Sequence, residues 1–131
     1  MTKILLVDDN PDIRRTLQVL ITWMGFETIT AANGKEAVER SLAEKPDLIL
    51  MDIVMPAMDG GEATRILRLS PNTKDIPILA MTALYRRFEL QRCIDIGCND
   101  YIVKPFPINE LQRKIKALLP KADAVLFRLT P

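Results

Sequence analysis

Five strand-like runs recur along the chain, and between them apolar residues return at helical rather than alternating spacing. The runs are Ile4 to Val7, Glu27 to Ala31, Leu48 to Met51, Ile78 to Met81 and Tyr101 to Val103. A strand followed by a helix and then another strand favours a parallel pair joined by a crossover, so five such units predict a mostly parallel sheet with helices on both faces. Leu48 to Met51 is apolar throughout, as suits a central strand covered on both sides. At 131 residues the chain fits one domain, large enough to bury a core without a disulfide or metal staple.

The helical segments carry their own stops. Asp9-Asn10-Pro11-Asp12 supplies turn chemistry before Ile13, Leu17, Leu20, Ile21 and Met24, and Gly25 closes that helix. Asn33-Gly34 is a turn before Ala37, Val38, Ser41 and Leu42, and Pro46 prevents that helix from continuing. Met55 to Gly61 reads as a loop, followed by a helix facing inward through Ala63, Ile66 and Leu67. A fourth helix is expected from about Arg86 to Ile96, stopping at Gly97. Pro107 is placed to start the last helix, whose stripe of Ile108, Leu111, Ile115, Leu118 and Leu119 ends near Pro120.

Chemistry-bearing side chains follow the strands. Asp8 and Asp9 come after the first, Asp52 after the third, Thr82 after the fourth and Lys104, before Pro105, after the fifth. In an open α/β sheet the residues just past the carboxyl ends of strands converge in one crevice, even when far apart in sequence. Three carboxylates and an ammonium in one crevice suit a hard cation and a phosphoryl group. Unneutralised, the carboxylates repel one another, which predicts stabilisation by a bound cation. Asp8-Asp9 also has the local role of a turn pair capping the first helix.

Composition narrows the alternatives. The net charge of +1 argues against bulk electrostatic binding to nucleic acid. The charge is uneven, with 9 basic and 12 acidic side chains over residues 1–85 and 8 basic and 4 acidic over residues 86–121. The basic half is either a solvated face or a partner surface. Cys93 and Cys98, with no His in the chain, match neither a tetrahedral metal site nor a two-residue-spaced redox pair, and read as small buried thiols. Only four apolar residues follow Met1-Thr2-Lys3, too few for the core of a signal peptide, and no run approaches membrane-spanning length. A cytoplasmic location with no membrane contact is expected.

Taken together, Asp8-Asp9, Asp52, Met55-Pro56 with Asp59-Gly60, Thr82-Ala83, and Tyr101 with Lys104-Pro105-Phe106 resemble a response-regulator receiver domain of two-component signalling, chemotaxis-regulator-like, over about residues 3–120, which sets the expected domain at residues 1–120. The resemblance implies a flavodoxin-like (βα)5 fold whose strand order is 2-1-3-4-5, with the first and third strands adjacent. It implies that Asp9, Asp52 and the backbone carbonyl of Val54 bind Mg²⁺ and that Asp8 acts through metal-bound water. It further implies that Asp52 is the phosphorylated nucleophile, assisted by Lys104 and Thr82, that Thr82 and Tyr101 form the switch, and that Lys104-Pro105 is cis, aiming the lysine inward.

The implied function is a phosphorylation-dependent signalling switch, not a metabolic enzyme, catalysing only its own aspartyl phosphorylation and dephosphorylation. Its expected partners are a histidine kinase or histidine phosphotransfer protein and a downstream target on the face formed by residues 86–121. A phosphate-independent scaffold with the same fold stands as the alternative, as does a receiver excised from a longer multidomain regulator. An aspartate-nucleophile phosphatase is disfavoured because Asp52-Ile53-Val54 lacks an acidic residue two positions after the nucleophile.

Three departures from the family pattern carry expectations. Gly61 stands where an apolar residue is common and should loosen the third helix. Val54 and Leu84 are apolar where a hydrolytic water would approach, which predicts a longer-lived acyl phosphate. Tyr85 adds an aromatic at the mouth of the site. Residues 121–131 are expected to be a tail without an effector domain, in which alternation of Val125, Phe127 and Leu129 permits an added strand, held by self-docking or crystal packing or, alternatively, by a contact between copies.

Overall fold

The computed structural model of the protein describes residues 1–53, 60–83 and 87–119. Five strands, β1 (Lys3–Val7), β2 (Glu27–Ala31), β3 (Leu48–Asp52), β4 (Ile78–Thr82) and β5 (Asp100–Val103), alternate with five helices, α1 (Pro11–Trp23), α2 (Gly34–Glu44), α3 (Gly60–Leu69), α4 (Arg87–Asp95) and α5 (Ile108–Leu118). The strands form one parallel sheet in the order β2-β1-β3-β4-β5. This is the flavodoxin-like order expected, with β1 directly beside β3.

Side chains leave a strand on alternate faces, so each strand feeds two cores. Ile4 and Leu6 of β1, Leu48 and Leu50 of β3 and Leu79 and Met81 of β4 pack with Leu17 and Ile21 of α1 and Leu111 and Ile115 of α5. Leu5, Val7, Ile49, Met51, Ile78 and Ala80 point the other way, onto Ala37 of α2, Ala63 and Leu67 of α3, and Cys93. β3 and β4 are buried along their whole length, which holds their terminal residues, Asp52 and Thr82, rigidly at the sheet edge. Among the described residues no helix is long and apolar enough to cross a membrane.

The helix signals hold with local adjustments. Asn10 is the N-cap of α1, its side-chain oxygen accepting from the N–H groups of Asp12 and Ile13, so the cap belongs to Asn10 and frees the aspartates for the crevice. Asn33 caps α2 in the same way and Gly34 is its first residue, where a turn was expected. Gly25 and Gly97, which follow α1 and α4, both adopt positive φ, the backbone conformation that glycine takes without a Cβ penalty. Gly60 and Gly61, expected in a loop, are the first two residues of α3 and are buried. Ile13, Leu42, Ile66 and Ile108, read as inward-facing, lie at the margins of their helix faces and are 36–43% exposed. Cys93 and Cys98 are free and buried, as expected.

Candidate functional site

Parallel register places the acidic residues. Val7 pairs with Met51 across β1 and β3, so Asp8 and Asp52, each one residue further on, emerge side by side. Val103 pairs with Thr82 across β4 and β5, and the Lys104 N–H continues the ladder by donating to the Thr82 carbonyl at 2.7 Å. The strand ends thus carry Asp8, Asp52, Thr82 and Lys104 to one edge of the sheet. Lys104-Pro105 is cis.

Lys104 joins the set. Its ammonium lies 3.0 Å from Asp8 Oδ2 and 3.2 Å from Asp52 Oδ2. Burial pulls the ammonium's pKa down, but the bond to Asp8 and the charges of Asp52 and Asp8 outweigh burial and hold it above its ordinary value. The other Asp8 oxygen accepts from the Asn10 N–H at 2.9 Å, and Arg14 Nη1 donates to the Asp8 carbonyl at 2.8 Å. The start of α1 therefore orients the carboxylate that the lysine engages.

Asp8 and Asp52 are buried, whereas Asp9 is exposed at the rim. One oxygen from each of Asp8, Asp9 and Asp52 lies within 4.8 Å of the other two. Three hard oxygen donors at that spacing fit a small divalent cation that retains some of its water, the usual habit of Mg²⁺. The carbonyl of Val54, the remaining ligand implied by the resemblance, lies outside the described residues, as do Leu84, Tyr85 and the tail 121–131. Thr82 is 1% exposed at the end of β4, and Tyr101 is half-buried in β5.

Three contributors to the site's architecture are not legible as motifs. Gly60 packs against the backbone at the end of β3: a Cβ there would collide with the Asp52 carbonyl oxygen and lie 2.8 Å from Ile53 Cα, while the Gly60 N–H donates to the Ile53 carbonyl at 3.1 Å. Arg68 of α3 donates to the carbonyls of Gly97, Lys74 and Ile76 and to the side-chain oxygen of Asn99, which also accepts from the Ile78 N–H. It thereby ties α3 to the segments that enter β4 and β5. Lys114 of α5 engages Asp100 and Tyr101. Only the Asp59-Gly60 motif hinted at any of these.

Beside the carboxylates an open groove of about 690 Å³ runs between α1 and the segment after β5, lined by Asp12, Ile13, Leu17, Leu20, Lys104 and Phe106 among others. Its lining is mostly apolar, with Asp12 and Lys104 as its charged members.

A parallel α/β sheet that gathers three carboxylates and a lysine where the order of its strands reverses is an acidic crevice at the switch point of a flavodoxin-like fold. The model of the response regulator receiver domain matches residues 4–116, and the chain belongs to that family. It is 40% identical over 127 residues to a probable transcriptional regulator, ycf27, of Porphyra purpurea, covering 97% of this chain and 51% of that protein. It is 37% identical over 121 residues to the alkaline phosphatase synthesis transcriptional regulatory protein PhoP of Bacillus subtilis, covering 92% of this chain and 50% of that protein. The chain thus spans about half the length of the curated relatives it matches. Among solved structures, a chemotaxis protein of Vibrio cholerae, CheY4, superposes with a TM-score of 0.86 at 32% identity, covering 91% of this chain and 99% of that one. The receiver domain of a sensor histidine kinase from Pseudomonas aeruginosa, solved with a magnesium ion in its active-site cleft, has a TM-score of 0.83 at 36% identity, covering 89% of this chain and 96% of that one. The protein is accordingly a receiver of two-component signalling, a signalling module whose family works as a phosphorylation-dependent switch.

Proposed function

We propose that Asp52 accepts a phosphoryl group from a phosphohistidine on a histidine kinase or histidine phosphotransfer protein. The observation that carries this reading is the Lys104 ammonium bridging Asp8 and Asp52 at the end of adjacent buried strands. An Asp52 carboxylate oxygen attacks phosphorus, the P–N bond to the imidazole breaks, and the imidazole, carrying a proton on its other ring nitrogen, leaves with the bonding pair. The product is an acyl phosphate on Asp52 and a neutral histidine. Lys104 stabilises charge on the transferring group by moving from carboxylate to phosphoryl oxygen, the positioning and neutralisation on which phosphoryl transfer depends.

Asp9 and Asp52, together with the Val54 carbonyl, would hold Mg²⁺, with Asp8 acting through a metal-bound water. Bound there, the ion supplies charge neutralisation for the phosphoryl oxygens. Its fit is supported by the spacing of the three carboxylates and by the magnesium in the cleft of the related Pseudomonas receiver. The groove between α1 and the segment after β5 is where a donor helix would bring its phosphohistidine, because its lining is mostly apolar and includes Lys104. Thr82, at the end of β4, and Tyr101, on neighbouring β5, would convert the added charge into a repacked face formed by α4, β5 and α5, on which a target docks.

Residues 1–120 would make up the receiver. A second reading of the output draws on the relatives: two of them carry the name of transcriptional regulator and are about twice as long. In that reading the receiver controls transcription through a segment beyond the matched half, and the complete reading frame distinguishes the two.

The test is intact mass after incubation with Mg²⁺ and a small acyl-phosphate donor, beside Asp52→Asn and a chelated sample. One added phosphoryl group that requires both Asp52 and Mg²⁺ is expected. If neither this donor nor a phosphohistidine donor labels the protein, the phosphate-independent scaffold replaces this reading.

A further inference from the structure

Lys114 projects from the middle of α5 toward β5, and its side chain is only 14% exposed. Its ammonium makes three contacts. It donates to the Tyr101 carbonyl at 2.6 Å, lies 3.3 Å from Asp100 Oδ1, and stands 5.0 Å from the centroid of the Tyr101 ring. Asp100 Oδ1 also accepts from the Tyr101 N–H at 2.7 Å, which closes a small loop of contacts around the ammonium.

The contacts differ in what they depend on. The Tyr101 carbonyl and the Asp100 carboxylate belong to the start of β5, and rotation of the tyrosine ring leaves them in place. The contact with the ring face does depend on that rotation. A lysine normally loses much of its freedom on being ordered, but here the two fixed partners already hold the ammonium. The ring therefore meets a pre-positioned cation, and the attraction between that charge and the aromatic quadrupole acts on the ring alone.

We infer that Lys114 is a positioning residue for Tyr101, holding the ring in the orientation seen here and thereby setting the threshold at which the β5 face changes state. The threshold part rests on Tyr101 being the switch aromatic, as proposed above; the positioning part does not. α5 is thus more than a surface for the target. It carries the group that weighs one ring orientation against the other, so a partner that engages Lys114 would release the ring, and release of the ring would in turn make Lys114 easier to engage.

The experiment measures the χ1 populations of Tyr101 from three-bond scalar couplings in tyrosine-labelled full chain, for the wild type, Lys114→Met and Lys114→Arg, with and without Mg²⁺ and beryllofluoride. Lys114→Met should lower the ratio of the resting rotamer to its competitor by about 3- to 10-fold, the range a partly buried cation–π contact implies. Lys114→Arg should stay within about twofold of the wild type, since a guanidinium also binds a ring face. If Lys114→Met fails to fold, Lys114→Gln, which keeps an N–H donor without the charge, takes its place. Unchanged rotamer populations in the folded uncharged variant overturn the inference. Wild-type populations that ignore beryllofluoride would remove Tyr101 from the switch while leaving the Lys114 effect to be read independently.

Discussion

Lys104 and Asp8, 96 positions apart in sequence, meet at 3.0 Å between ammonium and carboxylate. The same ammonium reaches Asp52, so one positive charge serves two buried negative ones. This arrangement leaves one surplus negative charge, exposed Asp9 adds a second, and a divalent cation would correct it.

Removing the lysine should therefore lower both stability and phosphorylation. Lys104→Met leaves two buried carboxylates without their shared cation and is expected to cost about 1–3 kcal/mol, below the 3–5 typical of a fully buried broken pair because the lysine is partly exposed. Urea unfolding gives the first quantity and the initial rate of acyl-phosphate labelling the second. A Lys104→Met protein as stable as the wild type would show that Mg²⁺ or solvent already balances the carboxylates.

Mg²⁺ should stabilise the folded protein through the same charges. At a concentration about 100-fold above Kd, binding confined to the native state adds about 2.7 kcal/mol. Thermal unfolding with and without Mg²⁺ should record a rise in Tm that is lost in Asp9→Asn. If Asp9→Asn retains the full rise, the exposed carboxylate is not a ligand.

Gly60 has no room for a side chain against Asp52 and Ile53. Gly60→Ala should destabilise the protein by about 1–3 kcal/mol, the usual range of overpacking. It should also slow Asp52 labelling by displacing the strand end. Gly61→Ala, one residue further into α3, is the comparison that separates helix propensity from this contact.

Arg68 should not be replaceable by lysine. Its planar group reaches three carbonyls and Asn99 at once, a fork that a single ammonium cannot reproduce. Arg68→Lys is expected to cost about 1.5–3 kcal/mol, read by denaturant unfolding, with hydrogen exchange accelerating first at Ile76 to Ile78 and Gly97 to Asn99.

The Cys98 thiol should resist modification until the protein unfolds. Burial pushes its pKa up to about 11, against a smaller opposing effect of the Thr64 hydroxyl. An unfolded thiol ionises near 8.5. The folded state therefore keeps a proton that the unfolded chain releases, and this contribution to stability, intact below the unfolded value, is lost as pH rises from about 8.5 to about 11. Thiol-reagent labelling at pH 8 should follow the global unfolding transition; rapid labelling of native Cys98 would contradict the burial.

The strands and helices, their stops at Gly25 and Gly97, and the residues at the strand ends were legible in the sequence because each depends on neighbours within a few positions. Hydrophobic period, turn chemistry and caps are local, and the motif set from Asp8 to Lys104 supplied the family. The margins were less legible: Ile13, Ile66 and Ile108 obey the helical period yet sit at the edge of their faces, because the pattern names a side of the helix but not how wide a strip the sheet covers. Tertiary structure alone decided which oxygen of Asp8 meets Lys104, that Gly60 must lie on the Asp52 backbone, that Arg68 locks two distant loops and that Lys114 stands over Tyr101. Each of these is a distance set by parallel register and the packing of helices across a closed core, and no local pattern along the chain encodes it.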